Sequence, residues 1–155
     1  VTMRAGTSAL AIMSLWLAAA PAQAAIIGTC TINVQSNGTL SPNPTINVFG
    51  STQAGGSAAS VSVTTSSLLC SILNLLDCYG LSAPAPVNFL SAPSGGDANV
   101  TFASTYTVDS VTYGGSTITR VSNGTRIVPV NLTATKSTGI FPAGTYQAQV
   151  VFRCE

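Results

Sequence analysis

The residues with the most definite chemistry in this 155-residue chain are four cysteines, Cys30, Cys70, Cys78 and Cys154. Zinc sites usually need close cysteine pairs or added histidines. Here the tightest spacing is Cys70 to Cys78, and the chain contains no histidine at all. The set therefore reads as two disulfides with no metal, and sequence alone leaves all three pairings open. The lack of histidine also removes the usual general base. Asp77, Asp97 and Asp109 lie on separate segments, Glu155 ends the chain, and no spacing pairs any two as an acid–base dyad. No serine stands in a G-x-S-x-G elbow, and no glycine-rich loop is placed to cradle phosphate. Ser60 and Ser62 read as strand-surface residues, and Gly55-Gly56 and Gly95-Gly96 as loop glycines. The expectation is a protein that is not an enzyme and takes no cofactor.

Disulfides need an oxidising compartment, and the start of the chain is written for export. Met3-Arg4 is a short positive region, Ala9 to Ala20 is apolar apart from Ser14, and Pro21-Ala22-Gln23-Ala24 offers the small residues of a cleavage site. Residues 1–24 are expected to be a signal peptide and 25–155 a single domain, secreted, periplasmic or at the cell surface. The apolar run is short of the ~20 residues that span a bilayer, and no later segment is long enough, so no membrane span is expected after cleavage.

Beyond residue 24 the charges reduce to Arg120, Arg126, Lys136 and Arg153 against Asp77, Asp97, Asp109 and Glu155. Such a charge-poor surface lacks the clustered Lys and Arg that bind phosphates, which argues against nucleic acid as a partner. It also offers little repulsion against self-association.

Period-two alternation marks the elements that must position the cysteines. Val100, Phe102, Ser104, Tyr106 and Val108 share one face of a run; Val128, Val130, Leu132 and Ala134 share one face of another. Tyr146, Ala148, Val150 and Phe152 do the same near the C-terminus, while Thr29–Val34, Thr45–Phe49 and Ala59–Thr65 are weaker strand candidates. Pro129 argues for an edge or a bulge, since its nitrogen cannot donate to a ladder. Asn37-Gly38, Gly114-Gly115 and Asn123-Gly124 are hairpin-type signals. Short strands at this spacing predict an all-β sandwich or barrel. One segment departs from the pattern: within Ser67–Cys78, Leu69, Ile72, Leu73 and Leu76 fall at helical spacing. Either a short cysteine-pinned helix or a buried strand followed by an apolar loop fits it, and if exposed it is a candidate contact patch.

Three segments together resemble the spore coat protein U-like domain of archaic chaperone–usher pilins. They are Val48-Phe49-Gly50-Ser51, the run Ala59–Thr64 leading to Cys70, and the closing Pro142-Ala143-Gly144-Thr145-Tyr146 continuing to Phe152. The resemblance implies an immunoglobulin-like β-sandwich, incomplete by one strand, whose groove accepts a strand from a periplasmic chaperone and then from another surface subunit. It places Tyr146, Ala148, Val150 and Phe152 beside that groove, and implies the pairs Cys30–Cys70 and Cys78–Cys154. The function it implies is a pilus (fimbrial) or cell-surface subunit. Only Ala25–Thr29 would precede Cys30 after cleavage, which at ~3.3 Å per residue reaches roughly 16 Å and suits a tip or cap subunit. The alternative is a free-standing secreted binding module or adhesin, with Tyr79 and Tyr113 as loop aromatics.

Overall fold

The computed structural model describes residues 28–73 and 78–155. The expected signal peptide and its cut site lie outside them, as do Leu76 and Asp77. The chain is mostly β, as the alternation requires. A curled seven-stranded antiparallel sheet contains β1 (Gly28–Ser36), β2 (Ser41–Pro42), β3 (Val48–Gly50), β4 (Ala59–Ser67), β6 (Val100–Val108), β7 (Val111–Gly114) and β9 (Gly124–Lys136). A three-stranded sheet runs in the order β10 (Arg153–Cys154), β5 (Tyr79–Ser82), β8 (Thr119–Val121). The one described helix, α1, is Leu68–Ile72.

β9 organises the larger sheet. Its first half pairs with β4 from Thr65↔Gly124 to Ala59↔Val130. Its second half pairs with β6 from Tyr106↔Val130 to Val100↔Lys136, and with β3 on the opposite side. Pro129 therefore sits where β9 has one neighbour only, Ser60 of β4, and its missing N–H leaves no gap in a ladder. The edge expected from that proline is local, within a strand that is otherwise central.

Alternation along β4, β6 and β9 divides inside from outside. Val61, Val63, Tyr106, Val128, Val130 and Leu132 are buried and pack with Leu81 and Val121 of the smaller sheet, so both sheets share one core. The outward positions of β4, β6 and β9 hold Ser, Thr, Asn, Ala, Ile and Pro and no charge. Hydroxyls pair across strands there, Thr64 with Thr125 at 3.0 Å and Thr107 with Thr112 at 2.9 Å. The neutral surface anticipated from composition is therefore a polar sheet face stabilised by cross-strand pairs.

Tyr106 ties the two sheets together. Its hydroxyl lies 2.7 Å from the carbonyls of Leu81 and Thr117 and 2.8 Å from Thr119 Oγ1, which satisfies a phenol that would otherwise be buried at a cost. Gly115 passes so close to Ser104 and Ala83 that a β-carbon there would overlap both.

Several sequence expectations need correction. Asn123-Gly124 does not close a hairpin, because β8 and β9 belong to different sheets. The Asn123 side chain instead holds the end of β4: Ser67 N–H donates to its Oδ1, and its Nδ2 donates to the Ser67 carbonyl and Ser71 Oγ. The tightest hairpin, β6 to β7, turns on Asp109-Ser110, both at positive φ (49° and 69°). Both readings of the Leu-rich segment are partly realised: a strand ends at Ser67 and a five-residue helix carries Cys70.

The disulfides are Cys30–Cys154 and Cys70–Cys78. This overturns the pairing implied by the resemblance, Cys30–Cys70 with Cys78–Cys154. The ladder explains why: Cys30 stands opposite Thr65 of β4, whereas Cys70 lies beyond the last rung, Gly28↔Ser67, on a chain that has already turned into α1.

Candidate functional site

The four residues expected beside a strand groove, Tyr146, Ala148, Val150 and Phe152, lie on one extended segment with one side turned inward. Ala148 and Val150 are fully buried, Tyr146 and Phe152 half-buried, and Val151 between them is exposed. Phe152 meets the Tyr106 ring edge-on at 6.0 Å, and Tyr146 packs on Phe49 at 4.9 Å and Phe89 at 5.0 Å. The side chains behave as a strand's. The backbone does not.

Gln147 pairs with Ser91, and Arg153 and Cys154 pair with Ser82 and Leu81, but among the described residues no backbone hydrogen bond engages 148–152. Two physical causes are visible. Between those anchor pairs one chain advances ten residues, from Leu81 to Ser91, and the other only seven, from Gln147 to Cys154, so they cannot stay in register. The facing stretch also contains Pro84 and Pro86, which have no N–H to donate.

Alternate residues of a strand send their N–H and C=O to opposite sides. Gln147 and Glu155 both turn theirs toward the β5 side, through the pairs with Ser91 and Gly80. Gln149 and Val151 therefore face the gap, while Ala148, Val150 and Phe152 turn theirs to the opposite side, where Ala148 and Val150 are fully buried; β10 itself is an edge of its sheet. β1 is likewise an edge of the larger sheet, and Cys30–Cys154 fastens the two edges together at one end.

The gap is a shallow groove of about 430 Å³ walled by residues 86–90 on one side, the polar Asn88 among them, and by Gln149 and Val151 on the other. A second cleft, of about 270 Å³, lies between Gly38-Thr39-Leu40 and Phe49, Gly144 and Tyr146.

The remaining candidate residues have structural partners. Asp97 Oδ1 accepts from Phe89 N–H at 2.8 Å, and Asp109 pairs with Arg126 Nε at 3.3 Å on the surface. Ser60 and Ser62 are on the outer face of β4. Tyr79 and Tyr113, expected in loops, are strand residues: Tyr79 donates to the Ser66 carbonyl at 2.7 Å, and Tyr113 lies 5.8 Å from the Tyr106 ring. Among the described residues no group of three or more Cys, Asp or Glu comes together as a metal cluster would, and no helix is long and apolar enough to cross a membrane.

Sequence reasoning missed Val87 and Leu90, because isolated apolar residues among prolines carry no periodic signal. It also missed Lys136, a buried cation that donates to the carbonyls of Gly95 at 2.8 Å and Ala98 at 2.6 Å, with its ammonium 5.5 Å from the Phe141 ring centre. The fold and the edge define a mostly β chain with two disulfides and one extended segment short of backbone partners among the described residues. Comparison with protein-family models, with curated proteins and with solved structures gave no match.

Proposed function

We propose that this chain is an exported structural and interaction subunit, of the pilus or cell-surface kind, that binds a neighbouring chain by β-strand addition along residues 148–152. The observation that carries this reading is the mismatch within that segment: its side chains are seated in the core while its backbone has no partner among the described residues. An extended segment without ladder partners is a template for an incoming strand, which reaches the fully buried Ala148 and Val150 only when the chain covering them moves aside. In this reading the two sheets form an immunoglobulin-like sandwich lacking the strand beyond β10, and the acceptor edge serves a chaperone or another subunit. The Cys30–Cys154 bond closes one end of that edge, which fits a tip or cap role receiving a single strand better than an open groove.

The test is amide hydrogen exchange in the presence of a synthetic alternating Thr-Val octapeptide. Strand addition protects the amides of Ala148, Val150 and Phe152 and leaves those of Gln149 and Val151 unchanged. Uniform exchange with and without peptide, together with two-state unfolding indifferent to a coexpressed periplasmic chaperone, would overturn the reading.

The cleft that Phe49 and Tyr146 wall opposite Gly38-Thr39-Leu40 favours a second reading, a free-standing binding module that stacks a sugar on its aromatic wall. A glycan array without a single binder argues against it.

A further inference from the structure

The tetrapeptide Ser-Asn-Gly-Thr occurs twice in the chain, at 36–39 and at 122–125. An asparagine followed by glycine can cyclise. The glycine nitrogen attacks the asparagine Cγ, ammonia leaves, and water opens the resulting succinimide at either carbonyl to give aspartate or isoaspartate. Glycine favours the attack because it has no Cβ to hinder the approach and turns freely about its backbone bonds. Water is the one co-reactant. The local sequence makes the two junctions equivalent, so any difference between them comes from the tertiary structure.

Asn123 is half-buried and its amide is held at both atoms. Oδ1 accepts from Ser67 N–H at 2.9 Å, and Nδ2 donates to the Ser67 carbonyl at 2.8 Å and to Ser71 Oγ at 2.9 Å. Cyclisation there must first break all three bonds. Asn37, by contrast, is exposed, and its side chain makes no hydrogen bond among the described residues. Asn37 and Gly38 belong to no strand: the β1–β4 ladder ends after a bulge at Ser36↔Ser60, and pairing resumes only at the isolated bridge Thr39↔Ser57. Glycine is obligatory at 38, because a β-carbon there would lie 2.7 Å from Ala59 N and 2.8 Å from the Ser57 carbonyl oxygen. The packing that demands glycine also preserves the reactive junction.

We infer that Asn37 is a site of spontaneous conversion to aspartate and isoaspartate, while Asn123, in the same tetrapeptide, is protected by its hydrogen bonds. The product alters the cleft beside it. Gly38-Thr39-Leu40 form the wall that faces Phe49 and Tyr146, so the new carboxylate stands next to that wall. The described residues carry four Lys or Arg against three Asp or Glu, so one added negative charge brings their formal balance to zero. Isoaspartate also routes the main chain through the former side chain, which adds a carbon between Ser36↔Ser60 and Thr39↔Ser57. The isolated bridge, held by two backbone hydrogen bonds of 2.9 Å, yields before the long β1–β4 ladder does. The conversion requires neither strand addition nor a bound sugar, so it stands or falls apart from both.

Peptide mapping by mass spectrometry tests the inference on the disulfide-intact chain incubated at mildly alkaline pH, beside a second sample reduced and held in urea. In urea the two junctions are expected to convert at similar rates, since their local sequences are the same. In the folded chain Asn37 still converts, while Asn123 lags it by about a hundredfold, as three hydrogen bonds of ordinary net strength require. Isoelectric focusing resolves the converted chain as a more acidic band, and the amides of Thr39 and Ser57 exchange faster in its isoaspartate form. Asn37→Gln, whose longer side chain closes a larger and slower-forming ring, removes the band and leaves thermal melting unchanged, because the site is exposed. An Asn37 that stays intact in the folded chain while converting in urea, an Asn123 that keeps pace with it, or an acidic band that persists in Asn37→Gln overturns the assignment. Unaltered exchange at Thr39 and Ser57 in the isoaspartate form overturns its effect on the cleft.

Discussion

Lys136 is 8% exposed and has no acidic partner among the described residues, so its charge is satisfied by two carbonyls and the face of Phe141. It pins the Gly95–Ala98 turn to the end of β9. Lys136→Met keeps the aliphatic stem but strands both carbonyls, and is expected to lower stability by about 2 kcal/mol, measured by urea unfolding. Desolvation, and secondarily the negative charge of Asp97, raises the pKa of Tyr146 above the ordinary 10.0. The neutral form is thus favoured in the folded state. Its contribution is fully present below the unfolded tyrosine's pKa and is lost as pH rises through the higher folded value. Phenolate absorbance of the native protein should contain a late-titrating component that Tyr146→Phe removes, and the same variant should flatten the alkaline loss of stability.

At the level of elements, what a pattern of side chains promises and what a backbone delivers diverge most in residues 146–152. Alternation there predicted a strand and identified its buried side correctly, because burial depends on side-chain character alone. Ladder formation depends on the neighbour's donors and register, and the neighbour contains Pro84 and Pro86 and three surplus residues. The β6–β7 hairpin shows the converse. Its turn, Asp109-Ser110, is not an Asn-Gly or Asp-Gly signal, yet tertiary pairing of β6 with β9 forces the chain to reverse there with both residues at positive φ. Ser110→Gly should relieve that backbone conformation and raise stability by about 0.5–1 kcal/mol, the left-handed penalty less the added freedom of the unfolded glycine. A shift of the urea midpoint without a change in slope would verify it. The Asn-Gly pair at 123–124 was legible as a turn but not as a clamp, since nothing local says that Asn123 will meet Ser67.

For the whole molecule, the two disulfides act on very different scales. Cys30–Cys154 spans 124 residues and joins the edges of both sheets, whereas Cys70–Cys78 spans eight and holds α1 alone. Loop-closure entropy assigns about 5 kcal/mol to the long closure and about 2.6 kcal/mol to the short one. Replacing Cys30 and Cys154 together by Ala should therefore destabilise the fold by roughly twice as much as replacing Cys70 and Cys78 together, as read by denaturant unfolding of each double variant. Loss of the long disulfide should also free the end of β1 from β10, and loss of the short one should release α1, so amide exchange should rise at the sheet edges in the first variant and in α1 alone in the second.

Composition and alternation alone determined that the chain is mostly β, that its cysteines pair, and which side of β4, β6 and β9 faces the core, because each of these follows from residue type and a period of two. They also located the segment 146–152 and the Leu-rich excursion as the places of interest. Which cysteines join, whether 148–152 finds backbone partners, and where α1 points were decided only in three dimensions. Each depends on register and on chain lengths between distant anchors, and a register is a property of two strands together, written in neither one alone.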